Sequence, residues 1–251
     1  MRRAPILLLF LLSIGTIANG DGGACPATWT YQNIAAWGDD NPACACGRKQ
    51  SPIDIRGAVD SPASELIPDY HNITAKVRNT SRTAQVDVVC CANGVWFKGT
   101  RYNLANVHFH APGEHRFDGV PAKMEVHLVH ETADHAKRLV IAVLVDSGMS
   151  SSPAIGEMMR ELPAAQCQSS AHGITFHPSQ IIPWVAGQRW WWTYDGSLTT
   201  PDCAQNVTWL IWGPRTHVST PDLEKMRRIF GETARPPQTL NARVVKKEPP
   251  H

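Results

Sequence analysis

The sequence predicts a β-dominated (α+β) fold in a single domain, and three observations carry that expectation. Segments with strand character recur through the middle of the chain, helical evidence is confined to two segments, and 19 prolines and 18 glycines fall mostly between the strand-like runs. One of those runs, Leu139 to Val145, has no polar alternation, which places it in the middle of a sheet covered on both faces.

Taken in order, residues 1–20 read as a signal peptide. Arg2 and Arg3 precede an apolar run from Ile6 to Ile17, and small residues follow at Ala18 and Gly20. Cleavage is expected just before Asp21, which leaves residues 21–251 as the mature domain. The apolar run falls short of the roughly 20 residues that cross a bilayer. The tail from Arg243 to His251 is polar and basic, so neither a transmembrane span nor a lipid-anchor signal is expected. The strand candidates are Thr74 to Arg78, Gln85 to Cys91, Val95 to Lys98, Tyr102 to His110, Lys123 to His130, Leu139 to Val145 and Val207 to Trp212. Ser152 to Leu162 and Thr220 to Phe230 are the helix candidates, the second opening with a Thr cap and Pro221 at the first helical position.

Without Arg2 and Arg3 the 24 basic residues fall to 22, matching the 22 acidic ones, so the mature domain is neutral and nucleic acid is not an expected partner. Seven cysteines behind a signal peptide imply an oxidising compartment and disulfides. Cys44-Ala45-Cys46 lacks the spacing of a metal motif, so disulfide chemistry is expected there too. Sequons at Asn72 and Asn79 are expected to be surface glycosylation sites, whereas that at Asn206 precedes an apolar run and is expected to enter the core unmodified. The expected location is extracellular or in the secretory-pathway lumen.

Alternation places candidate metal ligands. Val107 and Phe109 point one way, so Asn106, His108 and His110 share the other face of their strand. On the next strong strand Glu125 and His127 share a face, opposite to Val126 and Leu128. A bare His-x-His is a weak signal, but a second strand offering Glu-x-His strengthens it, because metal-bound imidazoles usually donate their other N–H to a carboxylate or amide. Three neutral histidines with an open fourth position make a catalytic zinc arrangement, for which carbonic anhydrase is the standard example.

Several motifs in order resemble the α-class carbonic anhydrases, from Trp29 to about Arg243. They are Trp29 and Tyr31, Gln50-Ser51-Pro52-Ile53-Asp54-Ile55, Val107-His108-Phe109-His110, Gly113-Glu114-His115 and Glu125-Val126-His127-Leu128-Val129-His130. The stretch Tyr194 to Pro201, Val207-Thr208-Trp209 and Asn241-x-Arg243 complete the series. The resemblance implies a single domain around a large, twisted, mostly antiparallel central sheet with short peripheral helices. It implies reversible hydration of CO2 to bicarbonate and a proton, by attack of zinc-bound hydroxide on CO2. His108, His110 and His127 are the implied Zn²⁺ ligands, Asn106 and Glu125 their hydrogen-bond acceptors. Asn106 is shorter than the family's glutamine, so its bond is expected to be less direct, through water. Thr199 and Glu114 are the implied pair that orients the nucleophile, and Val129, Val140, Leu198, Val207, Trp209 and Thr200 the implied substrate pocket.

Departures from the family matter too. Arg82 falls where fast members carry a proton-shuttling histidine, and arginine stays charged. Turnover below the fastest members is expected, with buffer or His135 as the substitute. The family's extracellular disulfide would join Cys203 to Cys46 or Cys44, with Cys46 preferred. CO2 and bicarbonate are the expected partners of a monomer or weak dimer. An acatalytic binding module is disfavoured because all three histidines persist, and a bulky-ester hydrolase because the implied pocket is small and apolar.

Overall fold

A computed structural model of the chain describes residues 29–89, 92–184, 187 and 189–249. The signal peptide expected at residues 1–20, its cleavage point, and Cys25, Cys90 and Cys91 lie outside the described residues. Twelve strands form one sheet: β1 (Val59–Asp60), β2 (Leu66–Asp69), β3 (Ile73–Asn79), β4 (Ala84–Asp87), β5 (Gly94–Phe97), β6 (Thr100–His110), β7 (Met124–Glu131), β8 (Arg138–Gly148), β9 (Ser169–Phe176), β10 (Trp191–Gly196), β11 (Val207–Ser219) and β12 (Lys246–Glu248). The path runs β9-β3-β4-β6-β7-β8-β11-β10-β12-β1, with β5 joining β6 to β2. Within this sheet, among the described residues, the β8–β11 and β12–β1 pairs are parallel and the others antiparallel.

The uniformly apolar run occupies the centre of this sheet. Along β8, Leu139, Ile141, Val143 and Val145 enter one core layer and Val140, Ala142 and Leu144 the other, so both faces are dry. Each buried Leu, Ile or Val contributes roughly 1.5–3 kcal/mol of transfer free energy. The first layer is closed by α1 (Pro153–Glu161) and α2 (Thr220–Phe230). The helix α1 buries Ala154, Ile155, Met158 and Met159, a single stripe at helical spacing. The cap of α2 is Ser219 rather than Thr220: the Ser219 hydroxyl accepts the Asp222 N–H at 3.3 Å.

Five strands of this sheet escaped the sequence reading: the short β1, β2 and β12, and the longer β9 and β10. β9 is an edge strand that exposes Ser169, Ala171, His172, Gly173 and Thr175, so it lacks apolar alternation. β10 is mostly buried, with its aromatic residues facing both sides.

Three expectations are corrected. Cys203 bonds Cys44, not Cys46, closing a sequence separation of 159 residues, and Cys46 is free and exposed. The two cysteines lie two positions apart on the short helix Pro42–Cys46, so they point to opposite sides. Arg235 anchors the inward side by donating to the Cys44 carbonyl at 3.0 Å. Asn79 is no surface acceptor: it is fully buried, and its amide nitrogen donates to the carbonyls of Pro163 and Ala164, whereas Asn72 is exposed. Asn206 is half-buried rather than core, with its amide held by Ala136 and Arg138.

Candidate metal centre

Strands β6 and β7 run antiparallel with His108 directly opposite His127 and His110 opposite Glu125. Directly opposed residues have Cβ atoms about 4.5–5.5 Å apart, so register alone brings the imidazoles together. A bulge sharpens the placement. Val129 opposes Asn106 while His130 opposes Leu104, leaving Ala105 as the extra residue. The parity of β6 therefore flips: Tyr102 and Leu104 enter the same core layer as Val107 and Phe109, freeing Asn106, His108 and His110 for the opposite face.

One nitrogen of each ring is already spoken for. His108 Nδ1 meets Asn106 Oδ1 at 2.8 Å, His110 Nδ1 meets the Thr233 carbonyl at 2.6 Å, and His127 Nε2 meets Glu125 Oε1 at 2.8 Å. The expected water-mediated bond of Asn106 is thus corrected to a direct one, because ring and amide lie on the same strand face two residues apart. The remaining nitrogens are Nε2, Nε2 and Nδ1, and the three histidines can offer one donor atom each, all within 4.8 Å of one another. His110 Nε2 is buried without any hydrogen-bond partner. A buried imidazole nitrogen left bare costs stability unless something binds it.

Electrostatics favours neutral rings. Burial, reinforced by the neighbouring histidines, holds His108 well below the ordinary histidine value and His110 at about 3, and burial lowers His127. Three neutral lone pairs aimed at one point suit a divalent ion of zinc type. His115, Glu125 and His127 also lie close enough to bind an ion, but hydrogen bonds use them instead. Glu125 Oε2 accepts the backbone N–H groups of Glu114 and His115, both at 2.8 Å, and Oε1 also meets His115 Nδ1 at 2.6 Å. Burial pushes this carboxyl up, yet His115 and His127 outweigh it and hold Glu125 well below the usual range.

Behind this layer His115 Nε2 lies 2.7 Å from the Tyr194 hydroxyl, itself 2.8 Å from Ser51 Oγ. Glu114 is also buried. Its Oε1 accepts the Arg235 N–H at 2.9 Å, and Oε2 has no partner in bonding geometry. Burial first, then nearby Glu125, raises this carboxyl well above the usual range, while the Arg235 N–H and, after it, the neighbouring Thr199 hydroxyl pull it back. Thr199 is itself buried.

His108 and His110 open into a cleft of about 530 Å³, with His127 buried behind them. Val129, Leu198 and Thr200 line it, as do Arg82 and Asn106. Val140, Val207 and Trp209 are not on that surface: each is at most 2% exposed and belongs to the core layer beneath, with the Trp209 ring 4.9 Å from that of His127. The Arg82 guanidinium stacks 4.3 Å over Trp29. His135 is exposed and outside the cleft lining, and among the described residues its ring meets that lining at Glu131, 2.7 Å away. The sequence reading missed Thr233 and gave no role to His115, Tyr194 or Arg235. The Thr233 contact is a backbone carbonyl and leaves no residue-type signal, whereas His115 stood within a matched motif.

A mostly antiparallel sheet carrying three converging neutral imidazoles beside a cleft defines a protein with a site that could hold a metal ion. A sequence profile of the eukaryotic-type carbonic anhydrases matches residues 32–249. The chain is 32% identical to a carbonic anhydrase of Nostoc sp. and 29% identical to one of Neisseria gonorrhoeae, each match covering 97% of this chain and 96% of the relative. The solved structure of the Thermovibrio ammonificans α-carbonic anhydrase, in complex with sulfanilamide, superposes with a TM-score of 0.81 at 31% identity, covering 88% of this chain and 99% of that one. The chain belongs to the eukaryotic-type carbonic anhydrase family.

Proposed function

We infer that the protein is a secreted zinc enzyme that reversibly hydrates CO2 to bicarbonate and a proton, with His108, His110 and His127 as the metal ligands. The observation that carries this reading is the bare, buried Nε2 of His110, with a ligand atom of His108 and one of His127 within 4.8 Å. Zinc held by three neutral ligands supplies a Lewis acid that makes a water-derived nucleophile available near neutral pH.

The chain's own groups do the rest. Asn106, the Thr233 carbonyl and Glu125 fix ring tautomer and orientation, which raises ligand basicity. Once its hydroxyl donates to Glu114, whose Oε2 is open to accept, Thr199 must turn its oxygen lone pair toward the nucleophile and so orients it. Positive charge at the ligands would also draw the Glu114 carboxyl down from its raised value, which favours the accepting carboxylate. Val129 and Leu198 give an apolar wall for a linear apolar substrate, backed by Val140, Val207 and Trp209, while Thr200 adds a hydroxyl beside it. Secretion fits the Cys44–Cys203 disulfide and the absence, among the described residues, of a helix long and apolar enough to cross a membrane. Asn72 is the glycosylation site this reading retains, and a monomer or weak dimer the assembly.

Stopped-flow CO2 hydration on the zinc-loaded chain, with metal analysis and an ester assay alongside, tests the reading. Expected are one zinc per chain and hydration that His108→Ala abolishes. Zinc-loaded protein that cleaves esters but leaves CO2 untouched would contradict it.

A further inference from the structure

Hydration of CO2 by water yields bicarbonate and one proton per turnover, and that proton must leave the cleft before the next cycle. On the carbonic anhydrase reading above, the described cleft-lining residues can be sorted by whether they could carry it. Arg78, Arg82 and Arg138 stay charged. Cys167 is disulfide-bonded, burial pushes the Tyr31 hydroxyl well up, and His108 and His110 serve the metal. Glu131 remains.

Glu131 closes β7 four residues beyond His127, roughly 13 Å further along the cleft wall at about 3.3 Å per residue. Its Oε1 accepts from Arg138 Nε at 2.7 Å and its Oε2 lies 2.7 Å from His135 Nδ1. The Glu131 side chain is 20% exposed and that of His135 74% exposed. His135 lines a separate hollow, and Glu131 is the described residue that faces both that hollow and the cleft.

We propose that Glu131 and His135 form a two-residue proton relay, with Glu131 receiving the proton from cleft water and His135 releasing it to bulk buffer. In the receiving state the neutral imidazole carries its hydrogen on Nε2 and leaves Nδ1 bare. Glu131 Oε2 takes a proton from a water chain, the new carboxyl O–H breaks as the Nδ1–H bond forms, and the exposed ring swings out to lose that same proton to buffer. One proton moves and no other bond changes. Burial pushes the Glu131 carboxyl up, and hydrogen bonds from His135 and Arg138 draw it below its ordinary value. When His135 presents a bare Nδ1 in the receiving state, the Arg138 bond at 2.7 Å is the one that remains and favours handing the proton on. The other charges of this hairpin, Asp134 and Lys137, lie on the loop beside His135; Asp134 is tied by the Thr132 hydroxyl at 2.6 Å. A relay of this length, in place of a single base in the cleft, also fits the slow turnover expected from Arg82.

The test is CO2 hydration by the zinc-loaded full chain in weak and in strong buffer. Glu131→Gln and His135→Ala should each lower kcat in weak buffer by roughly tenfold or more, a modest share of what a positioned base contributes. Both should leave kcat/KM unchanged, because proton export follows bicarbonate release, and imidazole buffer should restore kcat. The double variant should match the worse single one, as expected for one pathway. His172→Ala, an exposed histidine on β9, should behave as wild type. In metal-free protein, ¹⁵N NMR should show His135 Nδ1 hydrogen-bonded in the wild type and altered by Glu131→Gln. His135 sits on the surface, so its variant keeps the test decisive if Glu131→Gln misfolds. A hydrating wild type whose His135→Ala variant matches it in weak buffer overturns the relay alone. A zinc-loaded wild type that hydrates no CO2 at any buffer concentration overturns the parent reading and the relay with it.

Discussion

Glu125 Oε1 lies 2.8 Å from His127 Nε2, and that contact leaves Nδ1 as the lone-pair nitrogen of His127, whereas His108 and His110 offer Nε2. The carboxylate is fully engaged, with two backbone N–H groups on its other oxygen. Glu125→Gln should therefore weaken zinc binding by roughly 10–100-fold, the range for partners that orient metal ligands. Competition with a chelator reads this directly. An unchanged affinity would mean that the ring is held in place without Glu125.

On the proposed function, Thr199 and Glu114 orient the nucleophile and do not hold the metal. Thr199→Ala should cut kcat/KM for CO2 by about 10²-fold, comparable to removing one preorganised hydrogen-bond partner, with zinc content unchanged. Thr199→Ser keeps the hydroxyl and should recover most of the loss. Loss of zinc in Thr199→Ala would show a structural role instead.

The Cys44–Cys203 bond closes a long loop. In the chain-entropy account its removal costs about 5 kcal/mol at 25 °C, so Cys203→Ser should fall sharply in urea midpoint. Activity should fall too, because the Cys203 and Ala204 backbone bonds the Thr200 carbonyl and the Leu198 N–H, on either side of Thr199. Cys46→Ser should change neither quantity, since that thiol is free and exposed.

Acid should destabilise the fold through buried neutral imidazoles. His130, fully buried against Tyr70 and away from the cleft, is held at about 4 by burial. An unfolded histidine titrates near 6.5, so the unfolded chain binds more protons between those values and stability falls as pH drops through that window. The contribution is fully present above pH 6.5. Near pH 5 the loss from this group is about 2 kcal/mol, visible as a lower urea midpoint than at pH 7. His130→Gln should flatten that dependence; an equally steep variant would assign the effect elsewhere.

The central strands and the ligand face were legible in the sequence because both rest on local pattern, an unbroken apolar run from Leu139 to Val145 for the doubly covered strand and alternation for the ligand face. Val107 and Phe109 against His108 and His110, and Val126 and Leu128 against Glu125 and His127, report their faces without tertiary information. The bulge at Ala105 left no such mark, since it exists only in the pairing of β6 with β7. Partners chosen by three-dimensional proximity were equally silent: the Thr233 carbonyl on His110, the burial of Asn79 and the choice of Cys44 over Cys46. Edge strand β9 was missed because Ser170 and the exposed His172 stand in step with Ile174 and Phe176 and its register with β3 shifts between Ser169 and Gly173, so only its last residues alternate.

X-ray absorption spectroscopy at the zinc edge, on the fully loaded wild-type chain, tests the central claim most directly. Three imidazole nitrogens and one exchangeable light donor are expected, with the imidazole contribution reduced in His110→Ala. A sulfur donor, or a fourth protein ligand that inhibitor and solvent never displace, would contradict an open three-histidine centre.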